Sequence, residues 1–237
     1  MRFMCLDFET NGFYDESVPV LPWTSYPIQI SLTAVENGAV VHLYDSLIKG
    51  AGSLATWVRE NVPITLSDLQ EAPPLRAVVK DIATKLRPDD LVVAHNVRFD
   101  MEQCLRRSAA REEIEGSDLD FILGLPRFCT QNCEYVKSTL RKGERRLAHL
   151  CAHFGVEFHE SSAHDATYDT QKLAECVEEA LFRGVMLPDV HAKPSKCEHS
   201  KMFTTCPPKG GPGARSQLEH PALSDAIVQE ILSRPLG

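Results

Sequence analysis

The sequence lacks a hydrophobic run long enough to cross a bilayer, which would need roughly 18 to 20 apolar residues. Its N-terminal segment reaches the carboxylate of Asp7 too early for a secretory signal peptide. We therefore expect an intracellular, soluble protein without a membrane partner. Cytoplasm and nucleus both remain open as the compartment.

An excess of positive charge is also missing, because the formal net charge at pH 7 is −8. Tight, non-specific binding of long duplex DNA depends on Lys and Arg side chains that neutralise phosphates. The charge balance disfavours that function. A metal-dependent nuclease stays compatible with it, since bound divalent cations invert the local charge and let carboxylates face a phosphate.

Disulfide spacing is absent as well, although the chain contains eight cysteines. Most of them lie in apolar or periodic segments, where a free cysteine behaves as a small hydrophobic residue. We expect free thiols in a reducing compartment. The cysteines in such segments are Cys5, Cys104, Cys129, Cys133, Cys151 and Cys176.

The periodic part of the chain predicts an α/β fold, with a mixed β-sheet flanked by α-helices. Strands are expected at residues 2–6, 28–35, 40–47, 91–94 and 128–130, and helices at 54–62, 74–86, 97–110, 147–154 and 166–183. Asn37-Gly38 separates the second and third strands, and Asn-Gly between apolar runs is typical of a β-hairpin. Gly155 and Gly184 end the last two helices.

Proline and glycine break this periodicity near residue 188, so we predict a domain at 1–188 and a C-terminal tail at 189–237, partly disordered. Residues 223–232 of the tail favour a short helix, and the tail is a candidate segment for binding a protein partner. A zinc site there would use Cys197, His199 and Cys206. The sequence argues against zinc, because these residues lack the paired units of structural zinc sites.

Acidic residues occupy three places where strands end or helices begin. Asp7 and Glu9 are two residues apart in a predicted strand and therefore project from one face. Asp100 lies in the first turn of a predicted helix, and His164 and Asp169 flank the start of another. Each pattern alone also suits an ordinary role, such as a solvated strand end, a helix-dipole partner or a helix cap.

Together the three patterns resemble the DnaQ-like 3′→5′ exonucleases of the DEDDh subclass, which have a ribonuclease H-like fold. The motif D-x-E-T stands at residues 7–10, H-N-x-x-F-D at 95–100 and H-x-A-x-x-D at 164–169. The third segment lacks the Y-x-x-x-D pattern of the related tyrosine subclass. The resemblance covers residues 1–187, which is nearly all of the periodic chain.

The resemblance implies two-metal phosphodiester hydrolysis at the 3′ end of DNA or RNA, with release of 5′-mononucleotides. Four acids, Asp7, Glu9, Asp100 and Asp169, would hold two Mg²⁺ or Mn²⁺ ions, a pair usually about 3.5–4 Å apart. Asp7 would bridge the ions, Glu9 and Asp169 would complete the site of the attacking water, and Asp100 would hold the second ion. His164 would be the general base.

Further residues are candidates for substrate binding. Thr10, Gly12 and Phe13 follow the first motif and would contact the terminal nucleotide, although ordinary packing explains Phe13 equally well. His95 and Asn96 would order the metal loop. A basic cluster would guide the nucleic acid backbone, with a solvated charge run as the alternative. Its members are Arg141, Lys142, Arg145 and Arg146.

The expected substrate is an unpaired 3′ end, single-stranded or overhanging, because a free end must reach a recessed pair of metals. The sequence does not distinguish DNA from RNA, since that distinction depends on contacts to the 2′-hydroxyl. Two alternatives remain. The protein is a proofreading or repair subunit that acts with a polymerase, or it is a module that binds nucleic acid without cleaving it.

Overall fold

The protein folds around a mixed sheet of five strands, as seen in a computed structural model that describes residues 2–12 and 25–185. The strands are β1 (Arg2–Thr10), β2 (Pro27–Glu36), β3 (Ala39–Leu47), β4 (Asp90–Ala94) and β5 (Arg127–Cys129). Their order across the sheet is β3-β2-β1-β4-β5. The first three pair antiparallel, whereas β4 pairs parallel with both β1 and β5. The predicted mixed α/β fold is confirmed.

The turn between β2 and β3 is the predicted Asn-Gly hairpin. Asn37 and Gly38 have φ angles of 55° and 72°, the left-handed region that a tight two-residue hairpin requires at both positions. Glu36 pairs with Ala39 directly across this turn. The hairpin therefore fixes the register of β3 on β2.

Helices cover both faces of the sheet. They are α1 (Thr56–Asn61), α2 (Leu66–Glu71), α3 (Leu75–Lys85), α4 (Arg107–Arg111), α5 (Ser117–Gly124), α6 (Glu134–Thr139), α7 (Leu147–Phe154) and α8 (Ala166–Phe182). The predicted helix at 97–110 is partly wrong, because Phe99–Arg106 forms a π-helix that continues into α4. Such π-helical turns are frequent at functional sites. The short helices α2, α5 and α6 were not expected from the sequence.

Side-chain alternation along β1 separates two hydrophobic cores. Met4, Leu6 and Phe8 face the core beneath α3, the π-helix and α5. Phe3 and Cys5 point the other way, into the core beneath α7 and α8. Asp7 and Glu9 continue this second face, because successive side chains of a strand alternate. The two acids therefore project on the side of the sheet that α8 covers.

The six cysteines that the structure describes are free thiols, as predicted, and four of them are buried. No helix within residues 2–12 and 25–185 is long and apolar enough to span a membrane. The proposed tail at 189–237, its short helix and the zinc candidates Cys197, His199 and Cys206 lie outside the described residues.

Candidate active site

The site forms where β1 ends beside β4. The two strands run parallel, with Cys5 paired to Val93, so their carboxyl ends meet at one edge of the sheet. Crevices at this edge of an α/β sheet are common ligand sites. Asp7 and Glu9 lie on β1 just past that pairing, and both side chains are partly exposed. They provide the first two carboxylates.

Asp100 joins the site from the π-helix and is 2% exposed. Its Oδ1 accepts a hydrogen bond of 3.2 Å from the backbone N–H of Phe8, between the two acids of β1. The pairing of β1 with β4 ends at Cys5, and the N–H of Phe8, which lies beyond it, binds Asp100. It fixes the third carboxylate beside Asp7 and Glu9.

His164 and Asp169 enter from the loop before α8 and from its first turns. His164 has a φ angle of 65°, an uncommon value for a residue with a side chain. Its backbone N–H donates to Asp169 Oδ2 at 3.2 Å. One ligand atom each from Glu9, His164 and Asp169 lie within 4.8 Å of one another. Thus the first and third sequence motifs meet in space.

Burial and mutual repulsion raise the pKa values of the carboxyl groups. Burial is the largest cause of the raised pKa of Asp7, followed by the charges of Asp100, Glu9 and Asp169. Burial raises the pKa of Glu9 to about 8, with smaller contributions from the charges of Asp169 and Asp100. Burial also raises the pKa of Asp100 and Asp169, against hydrogen bonds from Phe8 and His164. Without a cation, this group of acids resists full ionisation.

The donor set fits divalent cations. Oxygen ligands from carboxylates suit Mg²⁺ and Mn²⁺. Asp169 Oδ1 is buried and accepts no hydrogen bond from any residue that the structure describes. Such an oxygen needs a partner, and a cation beside Glu9 would supply one. Repulsion among the four acids points the same way, because a bound cation would offset it.

His164, whose ring lies near Glu9 and Asp169, is an exposed residue. Partial burial of its ring lowers its pKa, against a smaller opposing effect of Glu160. The imidazole is therefore neutral near pH 7 and able to accept a proton. Its ring meets Trp57 of α1 edge to face, with centroids 4.7 Å apart. Sequence reasoning missed Trp57, since no motif spacing links it to His164.

His95 and Asn96 follow β4 at the same sheet edge. His95 uses both ring nitrogens, 2.9 Å from Thr130 Oγ1 and 2.9 Å from the backbone oxygen of Arg145. Burial lowers its pKa to about 4, so the ring is neutral. The backbone oxygen of Asn96 accepts from Phe99 N–H at 2.7 Å and starts the turn toward Asp100. These contacts suit an ordering role for both residues.

The segment after the first motif is held to the loop before α1. Asn11 is buried, and its side chain accepts from Tyr26 N–H at 2.7 Å and donates to the Ser53 oxygen at 3.2 Å. Thr10 donates its hydroxyl to the Gly12 oxygen at 2.8 Å. Sequence reasoning did not single out Asn11. Phe13 lies outside the described residues, so its role in substrate binding stays a prediction.

The basic cluster borders this sheet edge, because the backbone of Arg145 is bonded to His95. Arg145 itself turns inward and donates to the backbone oxygens of Leu140 and Lys137. Three side chains of the cluster are exposed, namely Arg141, Lys142 and Arg146. Contact of these side chains with a substrate stays a prediction.

Comparison with known proteins agrees with this geometry. The family RNase_T, described as an exonuclease family, matches residues 4–177. Ribonuclease T of Vibrio parahaemolyticus is 27% identical over 191 residues, covering 76% of this chain and 83% of that protein. The PolC-type DNA polymerase III of Bacillus subtilis is 25% identical over 197 residues, covering 79% of this chain. The match spans only 12% of the length of that polymerase.

Solved structures share the fold. Exonuclease I of E. coli in complex with a dA16 oligonucleotide superimposes with a TM-score of 0.59 at 20% identity, covering 77% of this chain and 41% of that one. The ribonuclease H-like fold and the family predicted from the three motifs are confirmed. The chain belongs to the RNase_T family of exonucleases.

Proposed function

We propose that the protein is a metal-dependent 3′→5′ exonuclease that hydrolyses the terminal phosphodiester bond and releases 5′-mononucleotides. One observation carries the proposal. Ligand atoms of Glu9, His164 and Asp169 lie within 4.8 Å of one another, although the residues come from opposite ends of the domain. Carboxylates beside a neutral imidazole are the groups that this hydrolysis needs.

Asp7, Glu9, Asp100 and Asp169 would hold two Mg²⁺ or Mn²⁺ ions. When bound, such ions activate water and neutralise charge on the phosphate. The protein's part is to hold the carboxylates close together. Without metal ions this costs free energy, because like charges repel. The hydrogen bond from Phe8 N–H to Asp100 and that from His164 N–H to Asp169 hold two of the acids in place.

His164 would accept the proton of the attacking water at a ring nitrogen. Its lowered pKa keeps the imidazole neutral, and its exposure leaves it open to solvent. Contact with Trp57 limits rotation of the ring. General base catalysis of this kind typically contributes about 10²–10⁴-fold to the rate.

The substrate would be an unpaired 3′ end. Exonuclease I of E. coli, which shares the fold, has been solved in complex with ssDNA. In this chain Arg141, Lys142 and Arg146 are exposed beside the sheet edge where the acids lie and would contact phosphates that lead to the site. The rates of cleavage of DNA and RNA ends, measured side by side, would show which of the two the protein prefers.

The test is a time course on single-stranded and 3′-overhang oligonucleotides of DNA and RNA, labelled at the 5′ end. Reactions contain Mg²⁺, Mn²⁺ or EDTA. We expect a ladder that shortens from the 3′ end and needs metal. His164→Ala should lose it, whereas His42→Ala, at an exposed histidine of the edge strand β3, should retain it. Folded wild type that cleaves none of the substrates with either metal would contradict the proposal.

A further inference from the structure

A buried polar stripe on β2 faces the helix that carries part of the site. Gln29, Ser31 and Thr33 alternate along the strand and therefore share one face. Their exposed fractions are 9%, 0% and 0%. Buried polar groups are costly unless they form hydrogen bonds, so the partners of these side chains are informative.

Gln29 uses both ends of its amide on the first turn of α8. Its Oε1 accepts from Ala166 N–H at 3.1 Å, and its Nε2 donates to Asp165 Oδ1 at 3.3 Å. Asp165 Oδ1 also accepts from Thr167 N–H at 2.9 Å and so caps the helix. The side chain of Gln29 thereby binds both the capping residue Asp165 and the backbone N–H of Ala166, the first residue of α8.

The position of Gln29 links this helix start to the metal-binding strand. In the β1–β2 pairing, Gln29 lies directly opposite Glu9. Residues 165 and 166, which it holds, follow His164 and precede Asp169. Gln29 therefore connects two parts of the site. Its backbone pairs with Glu9, and its side-chain amide binds the start of α8, which lies between His164 and Asp169.

We infer that Gln29 is the positioning residue that sets His164 and Asp169 relative to Glu9, an inference that rests on the function proposed above. It touches neither substrate nor metal in this account. Its effect passes through the placement of α8. Groups that orient metal ligands in this way typically change metal affinity or activity about 10–100-fold when removed.

The remaining stripe offers a matched control. Ser31 Oγ and Thr33 Oγ1 lie 2.8 Å and 3.2 Å from Thr170 Oγ1, which also donates to the backbone oxygen of Ala166. Thr33 is two positions further from the site than Ser31. Thr33→Val removes a buried hydrogen bond between the same strand and helix without touching the α8 cap.

The experiment measures Mn²⁺ binding to the metal-free full-length protein by titration calorimetry, together with kcat and KM on a single-stranded oligonucleotide. Gln29→Met preserves the side-chain volume and removes both hydrogen bonds. We expect its Mn²⁺ affinity and kcat to fall about 10–100-fold with little change in KM. Thr33→Val should lower the Tm and leave Mn²⁺ affinity and kcat at the wild-type values.

Gln29→Asn, which keeps the amide but is one methylene shorter, serves as the second variant should Gln29→Met not fold. Equal Mn²⁺ affinity in wild type and a folded Gln29 variant would overturn the inference, as would an equal loss in Thr33→Val. Failure of the proposed function is distinguishable. Wild type would then bind Mn²⁺ without cleaving, and the calorimetry would still decide the role of Gln29.

Discussion

Replacing Asp7 by asparagine should abolish cleavage and yet stabilise the metal-free protein. Asp7 lies near four other carboxyl groups, and its pKa is raised well above the ordinary value of 3.8 by burial and then by the charges of Asp100, Glu9, Asp169 and Asp165. At pH 7 the unfolded chain ionises Asp7, whereas the metal-free fold opposes this ionisation. Asparagine has nearly the same shape and never ionises, so that cost disappears.

The size of the effect follows from linkage. About three pH units separate an ordinary aspartate pKa from pH 7, and each unit corresponds to about 1.4 kcal/mol. A gain in the free energy of unfolding of about 2–4 kcal/mol is therefore expected at pH 7, the upper figure holding if Asp7 stays protonated in the fold. The gain should shrink to about 1.5 kcal/mol near pH 5, because only about one pH unit then separates the solution from the ordinary aspartate pKa.

The sign is fixed by the direction of the shift. An acid whose pKa is raised on folding contributes stability below its unfolded pKa and loses it as pH rises toward its folded pKa. Metal-free wild type should thus lose stability from about pH 4 to about pH 8, the pKa of Glu9. Asp7→Asn should flatten this profile.

The assay is urea denaturation of wild type and Asp7→Asn in EDTA at pH 5 and pH 7, with exonuclease activity measured in parallel. Asp89→Asn is the matched control, since Asp89 is exposed and the charge change is identical. Equal or lower stability of Asp7→Asn at pH 7 would refute the electrostatic reasoning. An active Asp7→Asn enzyme would refute the metal-ligand assignment.

Three further predictions concern other parts of the molecule. His164→Ala should reduce kcat about 10²–10⁴-fold while its Tm in EDTA stays near that of wild type, as followed by thermal denaturation. Arg2→Ala should lower the free energy of unfolding by about 3–5 kcal/mol in urea titrations, because it removes the charged partner of the buried Asp90 carboxylate, which Arg2 contacts at 2.7 and 2.8 Å, and leaves it the neutral backbone N–H of Arg87. Removal of residues 189–237 should leave a folded domain that still cleaves, and loss of the cooperative unfolding transition in that truncation would contradict the predicted domain boundary.

Much of the fold was predictable because local patterns matched the final structure. The Asn37-Gly38 turn, the apolar run of β2 and the helical spacing of α3, α7 and α8 are signals that the chain carries within a few residues. The six-residue helices α2 and α6 span fewer than two turns each, which leaves little periodicity to detect. The π-helix at Phe99–Arg106 has the composition of an α-helix, so only tertiary contacts reveal it.

The candidate site divides in the same way. Asp7, Glu9, Asp100, His164 and Asp169 carry motif spacings, and the structure places them at one sheet edge. Their roles in binding metal and in catalysis stay predictions. Gln29 and Trp57 had no such signal, because their contacts to Asp165 and His164 join segments more than a hundred residues apart. These contacts follow from the packing of α8 and α1, which the sequence does not display.

Hydrolysis of a single-stranded oligonucleotide in ¹⁸O-labelled water tests the central claim most directly. Attack of water on the terminal phosphorus, with the 3′-oxygen as leaving group, should place one heavy oxygen atom in the 5′-phosphate of each released mononucleotide. Mass spectrometry of the products should show this label only when Mg²⁺ or Mn²⁺ is present. Products that carry a 3′-phosphate, or release that continues in EDTA, would contradict the account.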